Sequence, residues 1–234
     1  HLVDNANEAA RLSGVTPIVE PIRGGTDGAR LTLANCSFVN CGWMPDVVSS
    51  GGQNLFDEED DKALESAVVL FKDVKPVVTG TSFVGCHNEN GGGFGGLVVV
   101  KGAASKCAFT NCLWCACEDI YSGYLDAEDR AGALVLDLAN AGVEADIVNC
   151  TFAWNLSARS ASTPAGLFVA TGTATIRNCI FAGNIASTHA SVGTDLHVGS
   201  GGKAIVSYTS FGGEGTAYAS SSGATGLDLT GGGI

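Results

Sequence analysis

The chain has 234 residues, 33 of them glycine and 5 proline, with 45% apolar residues and a formal net charge of −12. That apolar content supports a sizeable core and excludes a disordered chain, and without a Gly-X-Y period the glycines belong to tight turns and not to collagen. The acidic balance, with a pI near 4.5, excludes nucleic acid and anionic membrane faces as partners, because both need clustered Lys and Arg, and no run of 18 apolar residues offers a helix for membrane insertion.

Residues 1–14, from His1 to Gly14, hold the mildly helical stretch Asn5–Leu12 and read as an N-terminal cap or linker; residues 15–234 read as one repeat domain. The absence of an initiator Met is the pattern of a mature form, a proteolytic piece or a chosen boundary. Ile18–Ile22 is a short strand candidate, and the turn Arg23–Gly28 leads into an alternating strand, Ala29–Ala34.

From there a unit recurs. Cys36-x-Phe38, Cys107-x-Phe109, Cys150-x-Phe152 and Cys179-x-Phe181 keep Cys and Phe, while Thr81-x-Phe83 and Thr209-x-Phe211 put Thr in the Cys place. Repetition at this period points to a solenoid whose units bury their apolar faces by stacking. The predicted strands Ser66–Phe71, Gly95–Val100, Ala131–Leu136, Ala165–Val169 and Thr194–Val198 mostly open on small residues. Each is followed by a polar turn and a second strand that runs into the Cys/Thr-x-Phe core. Val, Ile, Thr and Phe dominate these runs, which favours strand over buried helix. A period of two puts Cys150 and Phe152 on the same side, so Phe38, Phe83, Phe109, Phe152, Phe181 and Phe211 are expected to stack inside beside a Cys/Thr column. The fold class predicted is all-β, a right-handed parallel β-helix solenoid of about six to seven coils.

The variable stretches Gly42–Glu65, His87–Gly93, Leu113–Arg130, Leu156–Pro164 and Ile185–Gly193 follow each unit, so loops are expected along one edge, where a repeat protein carries its binding surface. The acidic run Asp57–Asp61 and the aromatic insertion Leu113–Arg130 supply the binding candidates Asp57, Glu58, Asp60, Trp114, Tyr121, Tyr124 and Asp126. Weak Ca²⁺ binding at the acidic run is the one cofactor considered, and no metal site or catalytic residue is assigned. At the far end Gly226–Thr230 starts another coil with no cap after it, which predicts a segment of a longer solenoid, partnered by other protein chains or further coils.

The tetrapeptides Phe152-Ala153-Trp154-Asn155 and Phe181-Ala182-Gly183-Asn184, with the openings Gly95-Gly96-Leu97, Ala131-Gly132-Ala133-Leu134 and Ala165-Gly166-Leu167, resemble repeats of the chlamydial polymorphic outer membrane proteins. More broadly the chain is similar to right-handed β-helices of the pectin-lyase-like class over roughly Ala29 to Thr230. Phe38–Cys41, Phe83–Cys86 and Phe109–Cys112 depart by carrying Cys for Asn, and Phe211–Glu214 carries Glu. The resemblance implies a non-catalytic structural or adhesive segment of an extracellular or cell-surface protein. A carbohydrate-active enzyme or carbohydrate-binding module of the same class is the alternative, with carbohydrate as its partner. Of the hydrolase elements only Asp60-Asp61 occurs, and Asp137, Asp146 and Arg177 are too scattered for a lyase centre.

Cys112-x-x-Cys115 has metal-ligand spacing, but alternation with Phe109 turns Cys107 inward, away from any such centre. Cys41, Cys86 and Cys112 are read as one column at the turn, about 5 Å apart between coils and within disulfide range, with Cys115 and Cys117 as local alternatives. Asn155 and Asn184, at the corresponding position, are expected to form a short ladder. Asn35, Asn149 and Asn155 sit in N-x-[ST] sequons and are the glycosylation candidates. His87, His189 and His197 share no ligand spacing and read as solvated residues.

Overall fold

Short runs of β-branched and aromatic residues, interrupted every few positions by Asn or Gly, become strands that return to the same three sheets in turn. The computed structural model describes residues 30–43, 68–90, 97–121, 132–158, 164–186, 194–212, 217–220 and 226–229. The first circuit holds β1 (Arg30–Ala34), β2 (Ser37–Val39) and β3 (Gly42–Trp43); the second holds β4 (Val69–Lys72), β5 (Lys75–Thr79), β6 (Ser82–Val84) and β7 (His87–Asn90). The third is β8 (Val98–Lys101), β9 (Cys107–Thr110), β10 (Leu113–Cys115) and β11 (Glu118–Tyr121), and the fourth β12 (Leu134–Asp137), β13 (Glu144–Val148), β14 (Thr151–Ala153) and β15 (Leu156–Ala158). Then come β16 (Leu167–Arg177), β17 (Ile180–Ala182) and β18 (Ile185–Ala186), β19 (Leu196–Ser207) with β20 (Ser210–Gly212), and finally β21 (Tyr218–Ser220) and β22 (Gly226–Asp228).

Every strand pairing among the described residues is parallel, and each strand lies beside its counterpart in the next circuit. The 11-stranded sheet takes two strands from each of the second, third and fourth circuits, in the order β1-β5-β9-β13-β16-β12-β8-β4. Its two rows merge in β16 and β19, which are 11 and 12 residues long. The merger is irregular: register shifts between Val169 and Thr171. The other sheets run β2-β6-β10-β14-β17-β20 and β18-β15-β11-β7-β3.

Single residues make the corners. Between the 11-stranded and six-stranded sheets stand Asn35, Gly80, Asn111, Asn149, Asn178 and Tyr208, all with φ between 50° and 57°. Between the six- and five-stranded sheets stand Asn40, Gly85, Ala116, Trp154 and Gly183, with φ between 51° and 62°. One left-handed residue between two extended ones bends the chain sharply, and Asn and Gly tolerate that conformation best. The corner N–H groups stay paired across circuits, as in Asn111 N to Val148 O (3.0 Å) and Asn149 N to Arg177 O (3.0 Å).

The three sheets curl around one core, through which the rings of Phe38, Phe83, Trp114, Phe152, Phe181 and Phe211 run in a column. Successive centroids are 4.8, 5.5, 4.5, 4.7 and 5.1 Å apart and the planes within 15° of parallel. A smaller cluster of Val99, Val135, Phe168 and Ala170 lies on the other face of the largest sheet.

Three expectations change here. The all-β, right-handed solenoid of about six to seven coils with a pectin-lyase-like section gives way to a more general statement: several unequal, wholly parallel sheets, visited alternately and curled about one core. Wholly parallel pairing is the habit of α/β proteins, although no described residue is helical. What overturns the uniform coil is the largest sheet, where the two short strands of the second to fourth circuits fuse into the long bulged strands β16 and β19 and separate again as β21 and β22. Second, Phe109 is not in the aromatic column. It lies in β9, between Val78 and Ile147, and Trp114 takes the place. Third, Cys107 belongs with Phe109 in β9 and pairs Ala145, so the column member is Cys112. The segments outside the description at 44–67, 91–96, 122–131, 159–163 and 187–193 each follow a strand of the five-stranded sheet.

Candidate functional site

The chemistry-bearing side chains collect at the corners. At the first corner Cys36, Thr81, Cys112, Cys150, Cys179 and Thr209 precede β2, β6, β10, β14, β17 and β20, and the backbone ties them into a column: Leu113 N to Thr81 O (3.0 Å), Thr151 N to Cys112 O (2.9 Å), Ile180 N to Cys150 O (2.9 Å). At the second corner Cys41, Cys86, Cys117, Asn155 and Asn184 are joined in the same way, by His87 N to Cys41 O, Glu118 N to Cys86 O and Leu156 N to Cys117 O, each 2.8 Å.

Buried thiols need acceptors, and these find carbonyls of the neighbouring circuit: Cys86 Sγ donates to Phe38 O (3.5 Å), Cys117 Sγ to Phe83 O (3.4 Å), Cys150 Sγ to Phe109 O (3.6 Å) and Cys179 Sγ to Ile147 O (3.5 Å). They also bond one another, which splits their acidities. Hydrogen bonding to Cys117, with burial, pushes the Cys86 thiol up to about 12, while the same bond holds Cys117 below the ordinary thiol value. Cys150, bonded to Cys112 and Cys179, is raised, and both partners are lowered. Burial, opposed by the charge of Lys75, pushes Cys107 up to about 12.

Where the second column changes from sulfur to amide it becomes a ladder. Asn155 Nδ2 donates to Trp114 O (3.2 Å) and Asn184 Oδ1 (3.0 Å); Asn184 Nδ2 donates to Phe152 O (3.0 Å) and to Asp195 Oδ1 (2.7 Å). Asp195 Oδ2 accepts from Gly212 N (3.2 Å), and the buried Asp119 accepts from Gly132 N (3.1 Å). His197 is 5% exposed and stands 5.5 Å from the Phe168 ring; burial lowers its pKa. Its reading as a solvated residue is thus corrected. On the surface His87 Nδ1 lies 3.4 Å from Glu118, and Lys106 lies 2.9 Å from Asp146 and 3.3 Å from Glu144. An open depression of about 570 Å³ at the last circuits is lined by Ile180, Tyr208, Phe211 and Tyr218.

The predicted residues scatter. Asp57, Glu58, Asp60, Tyr124 and Asp126 lie outside the described residues, and Tyr121 ends β11. Trp114 is fully buried in the aromatic column and not on a loop. Cys41, Cys86 and Cys117 share one column, Cys112 stands in the other, and Cys115 is half-buried on β10; none of the nine cysteines is in a disulfide. Asn35 and Asn149 are exposed corner residues, whereas Asn155 is 1% exposed with its amide bonded on both sides. Among the described residues no group of three His, Cys, Asp or Glu is placed to hold a metal ion, and no helix is long and apolar enough to cross a membrane. Sequence reading missed Asp119, Asp195 and the true partners of Cys117. For Asp195 the signal was a polar Thr194-Asp195 pair at a strand opening otherwise built from small residues.

No protein-family model matches the chain and no solved structure matches it. Among curated proteins it is similar to Peptidase T of Shewanella woodyi, 41% identical over 66 residues, which is 28% of this chain and 14% of that protein. It is similar also to Peptidase T of Bacillus pumilus, 37% identical over 68 residues, 29% and 15% of the two chains. Peptidase T of Parabacteroides distasonis is 69% identical over 33 residues, 14% and 8%. The chain thus covers about one seventh of the length of the first two of these relatives. These findings overturn the resemblance to chlamydial outer membrane proteins and the pectin-lyase-like class. They overturn with it the non-catalytic adhesive role, its pectin-lyase-like alternative and the expectation that the chain is not an enzyme. The similarity that the comparisons do find is to peptidases.

Proposed function

We propose that the chain has a peptidase-related function, carried through the stretch it shares with Peptidase T. The observation behind this reading is the repeated similarity, 37–41% over 66–68 residues, to peptidases T of Shewanella woodyi, Shewanella sediminis, Bacillus pumilus and Alkaliphilus oremlandii. More than two thirds of the chain lies outside the shared stretch, and the shared stretch is a small part of those enzymes. A peptide is therefore the substrate class, and the described sheets hold buried thiols and amides.

The test is incubation of the purified full chain with a mixture of short peptides, following new amino termini by mass spectrometry. Time-dependent cleavage that scales with protein concentration is expected. Peptides unchanged relative to a protein-free blank, with the chain shown folded by circular dichroism, would overturn the reading.

A further inference from the structure

The nine cysteines fall into three groups of three by what lies beside them in the stack. Cys41, Cys86 and Cys117 follow one another at one corner without interruption, as do Cys112, Cys150 and Cys179 at the other. The remaining three have no cysteine neighbour in their rows. Cys36 is cut off from Cys112 by Thr81, Cys107 pairs Ala145, and Cys115 pairs Val84 and Ala153.

We propose that each three-cysteine column is a site of disulfide formation, in which the middle residue, Cys86 or Cys150, bridges to one neighbour and leaves the other as a thiol. Counterparts on adjacent parallel strands stand about 4.8 Å apart, within the roughly 4.4–6.8 Å between Cα atoms that a disulfide accepts. The backbone bonds that tie each column together put Cys86 between Cys41 and Cys117, and Cys150 between Cys112 and Cys179, near enough for each thiol to shift its neighbours' acidity. The skip pairs, Cys41 with Cys117 and Cys112 with Cys179, are two strand spacings apart, beyond reach.

The oxidant is a small-molecule disulfide, such as oxidised glutathione. One protein thiolate attacks it, expelling one small thiolate and forming a mixed disulfide. The neighbouring thiolate then attacks the protein sulfur of that bond, expelling the second small thiolate. Two protein S–H bonds are lost, one S–S bond is gained, and two small thiols carry away the electrons and protons. The third cysteine has a use as well. With Cys86 bridged to Cys117, the Cys41 thiolate stands on the opposite side of Cys86 and attacks it with Cys117 as the leaving group, so the bridge moves one circuit without any external reagent. All six residues are buried, none more than 7% exposed, so the first exchange occurs during folding or local opening, and the bridge once formed is shielded.

The full chain, unfolded and reduced, is refolded with oxidised and reduced glutathione, its remaining thiols are alkylated, and it is digested without reduction for mass spectrometry. Expected are one bridge per column, always including Cys86 or Cys150, with Cys36, Cys107 and Cys115 alkylated. All nine alkylated, a bridge reaching Cys36, Cys107 or Cys115, or a skip pair would each overturn the proposal. Two variants check the exchange: Cys41→Ser should leave only Cys86–Cys117, and Cys86→Ser should leave no bridge in that column while the other column is unaffected. A Cys41–Cys117 bridge in Cys86→Ser would overturn it. The wild-type map decides alone if a variant does not refold.

Discussion

Trp154 shows what a corner demands of a single residue. It is 67% exposed, holds φ of 54°, and lays its ring against Gly183 of the next circuit, where an added Cβ would lie 2.5 Å from Cδ1. Gly183→Ala should therefore cost about 1–2 kcal/mol, from left-handed strain and displacement of the ring. The same change in a Trp154→Gly background should cost less, which paired urea titrations would measure. Ala116 holds φ of 52° with no side-chain compensation, so Ala116→Gly should stabilise, by less than about 1 kcal/mol because glycine also loosens the unfolded chain. Gly166 is constrained differently: its Cβ would stand 2.2 Å from Asp195 O, a backbone atom that cannot swing aside. Gly166→Ala should lower the urea midpoint, by about 1–3 kcal/mol in stability. This close approach is a physical reason for the small residue at that strand opening, which the sequence displays without explaining.

His197 belongs to the same scale. Burial lowers its pKa from 6.5, so the unfolded chain binds a proton more readily than the folded one. Its contribution to stability is complete above about pH 6.5 and is lost as the pH falls through that value toward the folded pKa. Urea midpoints measured from pH 7.5 to 5.5 should fall, and His197→Phe, which keeps a ring beside Phe168, should reduce the fall.

At the scale of elements, much of the layout was legible because parallel stacking puts like on like. The Cys/Thr-x-Phe unit marked β2, β6, β14, β17 and β20 correctly, since each is a corner residue, a three-residue strand and an inward ring. It failed at Cys107-x-Phe109, where β9 of another sheet happens to spell the same tripeptide pattern, and the true unit, Cys112-x-Trp114, was hidden by a change of aromatic type. More even spacing with Trp114 in the column was the available signal. That substitution leaves Trp114 Nε1 buried with no hydrogen-bond partner, so Trp114→Phe should be tolerated within about 1 kcal/mol, loss of ring volume offsetting removal of the orphan donor. Trp114→Ala should cost about 3–5 kcal/mol in the same urea assay.

Over the whole molecule, each circuit is held by the circuits on either side, so protection should be graded along the stack. Amides of β13 and β16, paired on both sides, should exchange more slowly than those of β1 and β3, a gradient readable by hydrogen exchange with mass spectrometry. Function was far less legible than fold. Repetition amplifies packing residues at every circuit, whereas the similarity to peptidases is confined to a short stretch, 28% of the chain. The aromatic column has an optical corollary. With the Trp114 ring 4.5 Å from Phe152 and 2° from parallel to it, the transitions of neighbouring chromophores couple through space, and a buried indole emits to the blue of one in water. Trp114 is thus a built-in lamp in the middle of the stack, one that reports its ordering during refolding without any attached dye.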